Sequence, residues 1–410
     1  MGEDIPLHAD PRTNEVLFHV ALTAADEQVA WRAIRALHWR GGREVFERAC
    51  QLCTSPETHE RRVGTDILGQ LGKPTSPFPE ETLAVLLSML EREQDPDVLN
   101  AIGEALGYNH RCDPRTIEPL VRLKNHPDER VRRGVVCGLR EQEDERALLT
   151  LLELSKDQGE DVSLDAIRAL HWRGGKDVLA YACQFCASPE AQERCAGAAI
   201  LGQLGYKDNY PLREETLTVL LDMLECEQEP EVLSAIATAL GHSHGRDPRT
   251  IEPLVRLKDH PDERVRFGVV FGLLGQEDER TIRALIDLST DLDIDVRDWA
   301  TFGLGSMSEV DTPALREALV ARLDDEEGDV RGEAMVGLAR RHDQRMIEPL
   351  LTDLEAGWFG SLSMEAAAEI GDLRLYPVLV RRRVDWEGDR DDRLYKMLEE
   401  ALEKCQQASK

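Results

Sequence analysis

Apolar residues recur along this chain in short bursts spaced four apart, each burst entered through a polar turn. With Val330 counted as position zero, Ala334 and Leu338 fall at four and eight, a spacing that a helix turns to one side. The same frame fits Val29, Ala33 and Leu37; Val98, Ile102 and Leu106; Val131, Val135 and Leu139; Val162, Ala166 and Leu170; Val265, Val269 and Leu273; and Val296, Ala300 and Leu304. Each burst follows a turn rich in Asp, Pro, Gly and Glu, such as His126-Pro127-Asp128-Glu129, and another amphipathic segment precedes it. The predicted unit is a helical hairpin of about 30 to 40 residues, and a period of that size signals an all-α fold, the α-solenoid.

First helices are expected near Thr13, Arg43, Glu80, Pro114, Glu145, Asp177, Glu214, Pro248, Glu279, Pro313, Arg345 and Leu375, which makes about twelve hairpins. Asp113 and Asp247 are suited to cap helices that begin with Pro114 and Pro248, where a missing N–H costs nothing. Pro119, Pro253, Pro349 and Pro377 fall deeper and are expected to bend their helices. At the carboxyl end, Asp391 to Lys410 carries Leu394, Met397, Leu398, Ala401 and Leu402 among many charges, as a helix covering the open end of a repeat stack would.

A longer repeat lies over the short one. AIRALHWRGG occurs at Ala33 and again at Ala166, DPRTIEPLVRLK at Asp113 and Asp247, and HPDERVR at His126 and His260. A block of four hairpins has therefore been duplicated in tandem, over about 27–159 and 160–293, with divergent repeats and a cap in 294–410. No linker or low-complexity tract divides the chain, so one repeat domain over 1–410 is expected. The Pro-containing segments Lys73 to Pro79 and Tyr206 to Leu212 are expected to protrude as loops at matching places in the two copies.

The Asp/Glu-x-Val-Arg openings (Glu129 to Arg132, Glu263 to Arg266, Asp295 to Arg297, Asp329 to Arg331), the Leu-Gly-x-Leu-Gly endings (Leu68 to Gly72, Leu201 to Gly205) and the DPRTIEPL first helices resemble HEAT-repeat proteins of the PBS lyase HEAT-like type. The resemblance covers essentially the whole chain and implies the solenoid fold. It leaves function open, because such repeats serve bilin lyases, immunity proteins, adaptors and a few enzymes.

Composition narrows this. Fifty basic and 79 acidic side chains give a formal charge of −29, which argues against a nucleic-acid partner, since phosphate-backbone binders need clustered Lys and Arg. A basic protein partner fits better. No apolar stretch is long enough to span a bilayer. Nine cysteines and an amino end without a basic or apolar segment point to reduced thiols and a cytoplasmic setting.

Candidate chemistry is sparse, and neither a catalytic residue, a metal nor a cofactor is expected. The Cys-x-x-Cys pairs (Cys50 and Cys53, Cys183 and Cys186) have the residue type of a zinc site. They lie four hairpins apart, however, too far to share a metal within one chain, and are expected to be core residues. His38 and His171, each followed by a Trp (Trp39, Trp172) and an arginine and then by two glycines, suit a helix end. His59-Glu60 stands alone, whereas HEAT-like iron hydroxylases carry several His-Glu pairs. His242 and His244 are expected in a solvated turn, and Arg132, Arg266, Arg297 and Arg331 in a ladder that meets acids of the next layer.

Positions two, six and nine of the second helices point away from the core, and there the two copies differ. The fourth hairpin of the first copy presents Arg133, Cys137 and Arg140; its duplicate presents Phe267, Phe271 and Leu274, with Trp299 and Phe302 in the next layer. The earlier layers present Trp31, Arg35, Arg62, Asp66, Glu104 and Arg168. Adjacent large apolar side chains facing outward suggest a contact surface. The function expected is a non-enzymatic, protein-binding solenoid, an adaptor, inhibitor or immunity-type protein, that grips a basic partner on its concave wall through Phe267, Phe271, Leu274, Trp299 and Phe302. The alternative implied by the resemblance is a bilin-lyase-like enzyme or cofactor-handling chaperone.

Overall fold

Why the chain folds as it does is clearest in its turns, which a computed structural model describes for residues 10–72, 76–204, 212–356, 360–389 and 392–407. An Asp one residue ahead of a helix accepts the orphan backbone N–H two residues on: Asp26 from Gln28, Asp128 from Arg130, Asp262 from Arg264 and Asp278 from Arg280. When the residue at that second position is Arg, its guanidinium also forks onto the capping carboxylate, as Arg115 does on Asp113 and Arg249 on Asp247. This Asp-x-Arg fork recurs at Asp144, Asp343 and Asp372. It fixes the turn locally before any layer stacks on it.

The described residues form helices and no strand, in two compact units, Met1–Phe185 and Cys186–Lys410. The first unit holds α1 (Asn14–Thr23), α2 (Glu27–Arg40), α3 (Arg43–Leu52), α4 (Thr58–Gly69), α5 (Pro79–Leu90), α6 (Pro96–Asn109), α7 (Ile117–Val121), α8 (Glu129–Leu139), α9 (Glu145–Leu154), α10 (Glu160–Arg173) and α11 (Gly175–Cys186), whose last residue crosses the boundary. The second holds α12 (Ala191–Leu204), α13 (Arg213–Cys226), α14 (Pro230–His244), α15 (Ile251–Val255), α16 (Glu263–Leu273), α17 (Glu279–Leu288), α18 (Ile294–Phe302), α19 (Pro313–Arg322), α20 (Gly328–Arg340), α21 (Ile347–Ala356), α22 (Ser361–Ile370), α23 (Tyr376–Val384) and α24 (Arg393–Gln407). First and second helices alternate along the chain, and each predicted first-helix start lies within two residues of an observed helix or 3-10 start. The architecture is the all-α solenoid of helical hairpins.

Second helices stack in series, α4 on α6 on α8 on α10 in one unit, and α12 on α14 on α16 on α18 on α20 in the other. Their spacing is set by small residues. A Cβ at Gly103 would lie 2.3 Å from the Gly134 carbonyl, and one at Gly241 would lie 2.6 Å from the Phe271 carbonyl. The zero, four, eight residues fill the interior as expected, with Val98, Ile102, Leu106, Val265, Val269 and Leu273 all buried. Val29 is the exception, 42% exposed, because the first hairpin has a neighbouring layer on one side only among the described residues.

The prolines differ from expectation. Pro114–Thr116, Pro248–Thr250, Gln344–Met346 and Leu373–Leu375 are 3-10 turns, so Pro119, Pro253, Pro349 and Pro377 fall within the first turn of the α-helix that follows. There a proline has no intrahelical bond to break, and the strain a mid-helix proline would impose is taken up as a tighter turn before it. Gly41 and Gly42, like Gly174 and Gly175, have φ of 55° to 91° and end their helices in a region closed to other residues. The cap helix forms as α24, burying Leu398, Ala401 and Leu402; Asp391 and residues 408–410 lie outside the described residues, as do 73–75 and 205–211 of the expected loops.

Candidate binding face

The ladder of arginines holds the layers in register. Arg132 reaches Asp157 (2.6 Å) and the carbonyls of His126 and Pro127, and Arg266 repeats this with Asp291 (2.7 Å), His260 and Pro261. Arg61 with Glu93, Arg194 with Glu227, Arg297 with Asp325 and Arg331 with Asp353 are further rungs. Each carboxylate in the first five rungs also accepts backbone N–H groups of its own turn, so one rung joins two turns. These arginines are therefore structural, as their position in the repeat implies, and they fix the second helices whose outer face is at issue.

On that face the structure brings the five predicted residues of the second unit together. Trp299 of α18 lies 6.1 Å from Phe267 and 6.2 Å from Phe271 of α16, and 5.6 Å from Phe302, ring centroid to centroid. Leu274 packs on the Gly303 backbone, where a Cβ would lie 2.8 Å from its Cδ2. Trp299 is 37% exposed and the other four are half-buried, so the rings shield one another and still show an apolar surface to water. Beyond Phe302 the helix widens into a π turn, Gly303–Met307. Arg341 secures that turn by donating to the carbonyls of Leu304, Ser308 and Val310.

One residue joins the patch that the sequence did not assign to it. His242, in the last turn of α14, is exposed, and its ring lies 4.8 Å from that of Phe271 at a tilt of 60°; desolvation of the imidazole by its neighbours lowers its pKa. His244 is fully buried against the Thr216 hydroxyl at 3.2 Å, with its pKa lowered to about 4 by burial first. The expected solvated turn is thus corrected in part: α14 runs on through His244, which with Ser243 packs inward, while His242 stays exposed. A cleft of about 420 Å³ adjoins Phe267, lined also by Glu231, Ser234, Glu263, Arg264, Asp293 and Asp295.

The first unit carries a different arrangement at the equivalent positions. Arg133 donates to Asp165 at 2.8 Å, and Arg168 approaches the same carboxylate at 3.3 Å. Arg140 lies over the Tyr108 ring at 5.3 Å. Two layers before α8, on α4, Arg62 pairs with Asp66 at 3.0 Å, and burial, partly offset by Arg62, raises the Asp66 pKa to about 6.

Elsewhere, Cys53 and Cys186 are core residues while Cys50 and Cys183 are half-buried; burial lifts the Cys50 and Cys53 thiols to about 11 and 12, which suits packing and not reactivity. Among the described residues no three His, Cys, Asp or Glu side chains gather as metal ligands would. His38 is buried and bonds the Asp66 carbonyl at 2.8 Å, and the exposed His59 lies 3.2 Å from the Leu22 carbonyl. No described helix is long and apolar enough to cross a membrane.

The sequence model of the family described as HEAT repeats matches residues 14–107, 83–171, 117–201 and 217–305. Protein YibA of Escherichia coli strain K12 is 30% identical over 262 residues, 56% of this chain and 82% of that protein. The YibA crystal structure superposes with a TM-score of 0.55 at 25% identity, over 67% of this chain and 96% of that one. Yeast Kap95p, solved with RanGDP, matches 96% of this chain and 61% of its own at a TM-score of 0.59 and 14% identity.

Proposed function

From the premise that this chain belongs to the HEAT-repeat family, we propose that it is a non-enzymatic binding solenoid of the adaptor, inhibitor or immunity type, and that it engages a protein partner on its concave wall, at the face of α16 and α18 that points away from the core. Phe267, Phe271, Leu274, Trp299 and Phe302 form the anchor surface. The observation that carries this reading is the part-exposed, mutually packed ring cluster around Trp299, at positions where the equivalent layers of the first unit hold Arg133, Asp165 and Arg168 in ion pairs. The buried valines beneath, Val131 and Val135 in one copy and Val265 and Val269 in the other, are the same, so the exchange at Arg133 and Cys137 answers no change in those core residues. Apolar rings at a water-facing position are what an interface core requires.

The partner is basic in this reading. The chain carries a formal charge of −29, and Glu231, Glu263, Asp293 and Asp295 stand beside Phe267. Such a field speeds the approach of a cationic protein. Use of the fold by Kap95p to hold RanGDP supports a protein as occupant. Partner affinity and thermal stability, measured together for Phe267→Ala, Phe271→Ala and Phe302→Ala, test the proposal. Weakened binding with folding retained is expected; unchanged binding with a large loss of stability would reassign the rings to the core.

A further inference from the structure

Resting on that reading, we infer that the cleft beside Phe267 is a socket for one guanidinium or ammonium side chain of the partner, set next to the apolar anchors. The evidence lies in what the two copies do with equivalent carboxylates. In the first unit Asp97 holds the Arg130 guanidinium at 2.6 Å, and Asp161 stands 3.9 Å from that of Arg133. The equivalents in the second unit are Glu231 and Asp295. Arg133 has become Phe267, which removes the cation from Asp295. Arg264 is kept and is forked onto its own cap, Asp262, at 2.7 Å, as Arg130 is onto Asp128, but unlike Arg130 it does not reach across to form an ion pair with the neighbouring layer's carboxylate, Glu231, and stays at the cleft wall.

The equivalents of one carboxylate that holds the chain's own guanidinium in the first unit, Asp97, and of one that stands near another, Asp161, thus line an open cleft in the second. Glu263 and Asp293 add to them, and Asp293 replaces Gly159 of the first copy. An aromatic ring, Phe267, now forms part of the wall. Carboxylates beside a ring face recognise a cationic side chain through charge-assisted hydrogen bonds and cation–π attraction together. The first unit supplies its own occupant, and the second is complementary to one brought from outside. The partner that fits is a protein segment with Arg or Lys within a few residues of a large apolar side chain, which reaches the rings around Trp299.

The test uses the full-length chain against an array of capped peptides that pair a Phe-Leu anchor with arginine, or with its uncharged isostere citrulline, at spacings of one to four residues. Arginine peptides are expected to bind about three- to tenfold more tightly than citrulline peptides at the best spacing. Glu231→Gln with Asp295→Asn should erase that preference while the dependence on the Phe-Leu anchor remains. Phe267→Arg, which restores the residue of the first copy, should erase it as well. Equal binding of arginine and citrulline peptides to the unaltered chain would overturn the socket and leave the apolar anchor reading intact. Binding that ignores the anchor and follows charge alone would sink both. A melting curve on each variant, with the helical signal unchanged, separates loss of the socket from loss of the fold.

Discussion

The two copies of the duplicated block share their interior and differ on their outer face. Val131 and Val135 recur as Val265 and Val269, and the Arg132–Asp157 rung recurs as Arg266–Asp291 with the same bonds to the preceding turn. On the surface of these helices and of the layer that follows each, Arg133, Asp165 and Arg168 of the first unit form a chain of ion pairs, whereas Phe267, Trp299 and Phe302 of the second unit form a chain of ring contacts. The difference extends two layers back, to α4 and α12, where Arg62 and Asp66 are matched by Cys195 and Ala199. A repeat scaffold therefore lets the surface change charge class while the packing that sets layer spacing stays fixed. The first copy satisfies its surface internally; the second leaves it unsatisfied, which is the physical signature of a surface meant for something else.

If the interior is common property, cutting the same rung in either copy should cost the same. Arg132→Ala and Arg266→Ala each leave a largely buried carboxylate without its cation, and each is expected to destabilise its unit by about 3 kcal/mol or more. Urea unfolding followed by circular dichroism measures this, and a large asymmetry would show that the scaffolds are not equivalent.

Next in size is an effect confined to the first copy. Asp66 holds its proton up to about pH 6 when folded, against 3.8 for the free side chain, so its contribution favours the folded state below about pH 4 and is lost as pH rises through 6. Asp66→Asn should flatten stability between those values by up to roughly 2–3 kcal/mol. Ala199 gives the second copy no such slope. Unchanged pH dependence in the variant would show that Arg62 compensates fully.

Binding should show the opposite asymmetry. Phe271→Ala is expected to weaken the partner by about tenfold or more, a loss of about 1.4–2 kcal/mol, while Cys137→Ala at the equivalent position should leave affinity unchanged. Smallest of all is the effect of the long-range field: raising salt should slow association and spare dissociation, because screening shortens the reach of the acidic surface. Salt-independent association would remove steering from the account.

Much of this was legible from the residues, and the limits are physical. Helix starts could be placed because Asp caps and Pro at first positions are local signals, and the rungs because Arg recurs at one place in each second helix. The Asp-x-Arg fork needs only two residues, yet its function is visible only when Arg115 is seen to share the Asp113 carboxylate with the backbone. His244 was misjudged because nothing local says that α14 continues past Gly241 and packs Ser243 and His244 inward. The prolines were misjudged because helix type, 3-10 or α, depends on the hydrogen bonds of the preceding turn. The five anchor residues could be chosen from the duplicate comparison, but that Asp165 and Trp299 stand at the same point of the stack, each holding its neighbours together, required the layers to be assembled.

Photo-crosslinking tests the central claim most directly. Benzoylphenylalanine is placed at Phe271 in one preparation and at Cys137 in another, and each is irradiated in the presence of the partner retained by the unaltered chain. The account predicts a covalent adduct from position 271 and none from position 137. Equal adducts from both positions, or an adduct from 137 alone, would contradict it.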